Sequence, residues 1–109
     1  MVIHTITSLS QQSLDEYRKL AKSHDKIIIR FTEECNGTCK TIEPLYEKLS
    51  ETHKDIHFLS ANVDKCKELA TEFKINSIPT HFAVKNRQID KILVGANFYG
   101  LTKLVASFK

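Results

Sequence analysis

The sequence predicts an α/β domain: a mixed central sheet of about five strands flanked by about four helices. Three observations lead there. Apolar, β-branched runs alternate with stretches of helical period along nearly the whole chain. One run, Ile27-Ile28-Ile29-Arg30-Phe31, is apolar at almost every position, as a strand covered on both faces must be. Toward the C-terminus two strand-like runs meet at Asn86-Arg87, which adds a hairpin to strands otherwise separated by crossovers.

In chain order, Val2-Ile3-His4-Thr5-Ile6 alternates as a short strand. Ser8 or Ser10 can cap the helix that follows, with Leu14, Tyr17, Leu20 and Ala21 on one face. The central strand comes next, then a polar loop from Thr32 to Asn36. From Gly37 the pattern is helical, with Ile42, Leu45, Tyr46 and Leu49 inward. Pro44 lies inside that stretch and should kink it, because it has no N–H to donate. Residues 56–63 read as another strand, and Asp64 is placed to cap a short helix carrying Cys66, Leu69, Ala70 and Phe73. Ile78-Pro79-Thr80 leads into a strand through His81-Phe82-Ala83-Val84, and the hairpin returns along Ile89 to Val94. Gly95 ends it, and Asn97 can cap a last helix that turns Leu101, Leu104, Val105 and Phe108 inward.

At 109 residues the chain is expected to be one domain, 1–109, and a monomer. Three Gly and two Pro leave little room for long loops. The net charge of +3 comes from basic residues scattered among acids. No basic block with interleaved aromatics is present, so nucleic acid is not an expected partner. No apolar run reaches the length of a bilayer, and the first five residues lack the pattern of a signal peptide. The expected setting is therefore cytoplasmic and reducing, with no membrane partner. There, three cysteines are redox groups, plain thiols or metal ligands rather than structural staples.

Several segments, in order and in register, resemble the thioredoxin family along nearly the whole chain. They are Phe31, Gly37-Thr38-Cys39-Lys40, Pro44, Phe58-Leu59, Val63-Asp64, Ile78-Pro79-Thr80 and Val94-Gly95-Ala96-Asn97. The resemblance implies the thioredoxin fold, a cis bond before Pro79 and thiol–disulfide exchange on partner proteins. It also implies that Ile78, Pro79, Thr80 and Gly95 line a groove for an extended segment of the partner. No cofactor is implied; the reductant would be thioredoxin reductase or glutathione.

The resemblance fails at one place. Where thioredoxins carry Trp-Cys-Gly-Pro-Cys-Lys, this chain reads Cys35-Asn36-Gly37-Thr38-Cys39-Lys40. The resolving cysteine is matched by Cys39, Asn36 stands in place of the attacking one, and Cys35 replaces the tryptophan. Beneath the motif, Arg30 stands where the family carries a buried aspartate. Ser60 stands where a lysine often partners that aspartate.

Thiol exchange requires a thiolate. A helix N-terminus favours one, and Asn36 is a good cap for a helix with Cys39 in its first turn. Cys35 would lie just outside the cap, reachable but beside Glu33 and Glu34, whose charge works against a thiolate. A bridge needs Cα atoms roughly 4.4–6.8 Å apart, and one extended residue plus a helical turn brings Cys35 and Cys39 near the upper limit. Cys66 reads as a small apolar residue, with a regulatory thiol as the alternative. His4, His24, His53 and His57 suggest no constellation.

Three functions remain open. In the first, Cys35 attacks a partner disulfide and Cys39 resolves it. In the second, the groove beside Pro79 only binds an extended segment. In the third, Cys35, Cys39 and His81 carry a soft metal such as copper; thioredoxin-fold copper carriers use that cysteine spacing. A resident metal is not the leading expectation.

Overall fold

The computed structural model describes residues 3–6, 11–33 and 37–108, and at Gln11, Thr38 and Cys39 the backbone alone. The element order is β1 (Ile3–Thr5), α1 (Gln11–Ser23), β2 (Lys26–Thr32), α2 (Gly37–Thr52), β3 (His57–Asn62), α3 (Lys67–Glu72), β4 (Thr80–Lys85), β5 (Gln88–Val94) and α4 (Phe98–Ser107). The five strands form one sheet in the order β1-β3-β2-β4-β5. The β1–β3 and β2–β3 pairs are parallel, and the β2–β4 and β4–β5 pairs are antiparallel. The mixed sheet and its helices are those the sequence predicts.

The central position of β2 follows from its composition. Ile27, Ile28, Ile29 and Phe31 are all buried, alternately against two cores. Ile27, Ile29 and Phe31 pack with Leu14 and Tyr17 of α1 and Leu69 of α3. Ile28 packs on the other face with Ile42 and Tyr46 of α2 and Leu101 and Val105 of α4. Each such side chain contributes about 1.5–3 kcal/mol on burial, so a strand that serves both cores anchors the whole fold.

The ends of the elements differ in detail from the sequence reading. Ser8 and Ser10 lie outside the described residues. β2 extends through Thr32, and β3 is shorter than residues 56–63. Pro44 does lie inside α2, as the sequence reading has it. Asp64 does not cap α3: the cap position is Cys66, which makes no side-chain capping bond. The Asp64 N–H instead donates to the Asn62 side chain at 2.8 Å, an Asx turn that delays the helix by two residues. Asn97 does cap α4, its side chain accepting from the Gly100 N–H at 2.8 Å. Asn86 and Arg87 both have positive φ, 50° and 68°, the backbone a two-residue hairpin needs.

β5 carries one irregularity. Val84 pairs with Ile89 but Ala83 pairs with Lys91, so Asp90 is an inserted bulge residue. Ile89, Ile92 and Val94 therefore share the sheet face of Val84, Phe82 and Thr80. All three are more than half-exposed or at the half mark, at 50%, 57% and 58%.

Candidate functional site

The loop before β4 and the end of β5 meet at one corner of the sheet. The Ile78–Pro79 peptide bond is cis, and Pro79 is buried. The Gly95 N–H donates to the Pro79 carbonyl at 2.8 Å. Gly95 has φ +92°, a conformation that a residue with a Cβ rarely adopts. Thr80 pairs with Phe31 of β2 on one side and Val94 of β5 on the other. Its hydroxyl donates to the Ser77 carbonyl at 2.6 Å, closing the turn that carries Ile78 and Pro79. Ile78, Pro79, Thr80 and Gly95 are thus brought together as one backbone-linked lip.

Because β2 and β4 are antiparallel with Phe31 opposite Thr80, the chain leaves β2 toward α2 at the same end of the sheet as this lip. That connection carries the cysteines. Cys35 and Asn36 lie outside the described residues. Cys39 is the third residue of α2, and its side chain also lies outside the described residues.

Beneath α2 the structure places a buried polar cluster. Arg30 Nε donates to Ser60 Oγ at 3.2 Å, so the two positions at which the sequence departs under the motif bond to each other. The register explains this, since Arg30 and Ser60 are direct partners on β2 and β3. Arg30 Nη2 lies 3.9 Å from Glu43 Oε1, a loose pair, and the Glu43 side chain is 45% exposed. The guanidinium carbon sits 4.7 Å from the centre of the Tyr46 ring. A buried guanidinium needs a carboxylate or a route to water; Glu43, on α2 and partly solvated, supplies both. Tyr46 is itself buried, and its hydroxyl donates to the carbonyls of Leu59 at 2.6 Å and Ile28 at 2.9 Å. Burial raises its pKa well above the usual tyrosine value.

His81 completes the cluster. It is fully buried, opposite Arg30 across the β2–β4 ladder. Neither ring nitrogen has a hydrogen-bond partner among the described residues. Burial first, and the charge of Arg30 second, push its pKa down to about 4. A fixed cation beside the ring works against its serving as a ligand to copper. Among the described residues, no group of three His, Cys, Asp or Glu is placed to hold a metal ion.

Cys66 is fully buried, its thiol 3.7 Å from the Ile6 carbonyl, and burial pushes its pKa up. This is the small apolar role rather than that of an accessible thiol. The histidines differ from expectation. His24 and His57 stack with ring centres 3.8 Å apart, and His4 lies 6.2 Å from His57. They lie on three separate segments, so spacing along the chain gave no sign of the cluster. The signal available was register, since His4 and His57 both fall on strand positions facing α1.

A groove of about 440 Å3 runs from Thr80 and Val94 along β5, lined by Phe73, Ile75, Phe82 and Ile92. No helix among the described residues is long and apolar enough to cross a membrane.

The sequence model of the family described as Thioredoxin matches residues 6–107. The chain is 39% identical over 95 residues to a thioredoxin of Coprinus comatus, covering 85% of this chain and 90% of that one. It is 33% identical over 99 residues to mitochondrial thioredoxin-3 of Saccharomyces cerevisiae, covering 91% of this chain and 76% of that one. Among solved structures, a Plasmodium falciparum thioredoxin superposes with a TM-score of 0.87 at 30% identity, covering 97% of this chain and 99% of that one.

Proposed function

Since the chain belongs to the thioredoxin family of thiol–disulfide oxidoreductases, we propose that it exchanges disulfides with partner proteins through Cys35 and Cys39. The observation that carries this reading is the lip of Ile78, Pro79, Thr80 and Gly95, at the end of the sheet from which the Cys35–Cys39 segment departs. An extended segment of the partner lies along that lip. The Cys35 thiolate attacks a partner sulfur, forming a mixed disulfide and releasing the partner's other sulfur as a thiolate. The Cys39 thiolate then attacks Cys35, releasing the partner's remaining thiol and leaving a Cys35–Cys39 disulfide. Thioredoxin reductase or glutathione returns the pair to dithiol. We read residues 1–109 as one monomeric domain working in the cytoplasm.

The exchange is specialised or slow by this reading. The Arg30–Ser60 pair offers no carboxylate to take a proton from the resolving thiol, and Asn36 stands where the attacking sulfur would be. The same pair favours a second reading, in which the lip binds an extended segment with no covalent step.

Insulin reduction by wild type, Cys35→Ser and Cys39→Ser tests the choice. Turnover in the wild type, lost in both variants, is the expected result. Background turnover in all three, with partner binding unchanged, would overturn the exchange reading in favour of the binding module.

A further inference from the structure

His4, His24, His57 and Glu16 meet on the sheet face that α1 covers, away from the lip. Three separate segments bring them there. His4 lies on β1 opposite Leu59, and His57 precedes Leu59 by two on β3, so both share the face on which Leu59 packs with Leu14 and Tyr17 of α1. His24 directly follows α1, its N–H donating to the Leu20 carbonyl at 3.1 Å. Two clips result. His4 Nε2 meets Glu16 Oε2 of α1 at 2.8 Å. The His24 ring lies on the His57 ring with centres 3.8 Å apart and planes 9° from parallel.

We propose that the His24–His57 stack, with His4 beside it, is a proton-sensitive clip that holds the C-terminal end of α1 to β3 at neutral pH and lets go as pH falls from about 7 to about 5. Two stacked imidazoles tolerate one proton, since a cation over a neutral ring is an attractive contact. A second proton is opposed from several sides. Among the described residues His57 Nε2 is buried without a hydrogen-bond partner, so a charge there has no described group to pair with. Burial chiefly, then His24 and His4, hold the His57 pKa below the ordinary value.

The surrounding charges do not rescue it. Glu16 of α1 is engaged by His4. At the start of β2, Lys26 is paired with Asp55 of the α2–β3 connection at 2.7 Å. The polar hollow beside the stack adds Asp25 and Lys54, one of each sign. His53 at the end of α2 turns its Nδ1 to the Leu49 carbonyl. Nor is the stack a metal site. Parallel rings aim their in-plane lone pairs in parallel, and these cannot converge on one ion at the roughly 2.0–2.1 Å a zinc–nitrogen bond requires.

Opening supplies the second proton's place, so the open form gains population with each proton taken up. For one linked proton the gain is up to about tenfold per pH unit below the ordinary histidine value of about 6.5. Amide hydrogen exchange of residues 20–24 and 57–59, corrected for the intrinsic rate and read between pH 7 and pH 5, tests this. His57→Phe and His24→Phe keep an aromatic stack and remove one titrating ring. Wild type should show that rise in opening, His57→Phe should be nearly flat, and His24→Phe should keep only the smaller slope that burial of His57 carries. An equal slope in either variant, or no slope in wild type, overturns the proposal. Should the variants be too unstable to compare, the wild-type proton NMR titration decides: His57 must titrate below the ordinary histidine value, and an ordinary titration of His57 overturns the clip. Wild type and variants are compared in a His81→Leu background, because the buried His81 ring beside Tyr46 of α2 also takes up a proton on unfolding below pH 6.5.

Discussion

Arg30 and His81 face each other across the β2–β4 ladder, both buried beneath α2, with a permanent charge on one and, among the described residues, an unpartnered ring on the other.

The first consequence is a loss of stability in acid. The folded pKa of His81 is about 4 against an ordinary 6.5, so between those values the unfolded chain binds the extra proton. Stability is therefore full above pH 6.5 and falls as pH drops toward 4. The loss from this group is about 3 kcal/mol. Urea denaturation at pH 7 and pH 4.5 checks it: His81→Leu should flatten the decline, leaving a smaller slope from the remaining groups.

Among the described residues Arg30 has one ion pair, the loose one to Glu43, so an apolar residue of similar length should be tolerated. Arg30→Met should cost less than about 1 kcal/mol or stabilise the fold. The His81 pKa should then move up toward the usual range, as read by NMR. A loss of more than about 3 kcal/mol would show that the guanidinium is better compensated than its geometry indicates.

The Tyr46 hydroxyl ties β2 to β3 by donating to Leu59 and Ile28 inside the core. Tyr46→Phe leaves the packing and removes the donor. It should cost about 1–3 kcal/mol by chemical denaturation, more than a solvent-exposed hydroxyl would.

Gly95→Ala places a Cβ where φ is +92°, although among the described residues no atom stands within 4 Å to clash with it. The cost is therefore backbone strain, about 1–2 kcal/mol. Because the Gly95 N–H holds Pro79, peptide binding at the lip should weaken more than overall stability. Titration with a serine-substituted partner peptide, beside a thermal melt, separates the two.

Cys66 should resist alkylation by iodoacetamide at pH 7 in the native protein and react once urea unfolds it, since it is buried and its thiol is held protonated. Mass spectrometry of the labelled protein reads this directly. Rapid native labelling would revive the regulatory alternative.

Where the sequence was legible, one residue type had one physical use. The run from Ile27 to Phe31 admits only a doubly covered strand, and Asn97 and the Asn86-Arg87 pair serve as cap and turn. The cis bond before Pro79 was legible through resemblance. What escaped was set by register between distant segments. Nothing local to Arg30 reveals that Ser60 and His81 flank it, and nothing local to His57 reveals His24. Asp64 misled because the Asn62 side chain, two residues earlier, takes the local N–H first.

Asp90 stands outside the β4–β5 register. Strict alternation along β5 would set Ile89 beside Leu93, turned toward α4. The one extra residue moves it to the opposite flank, in line with Ile92 and Val94. Deleting Asp90 would force a choice between rotating Ile89 away from its row and rebuilding the Asn86-Arg87 corner, so a single inserted amino acid decides which oily ridge the outer edge of the molecule displays.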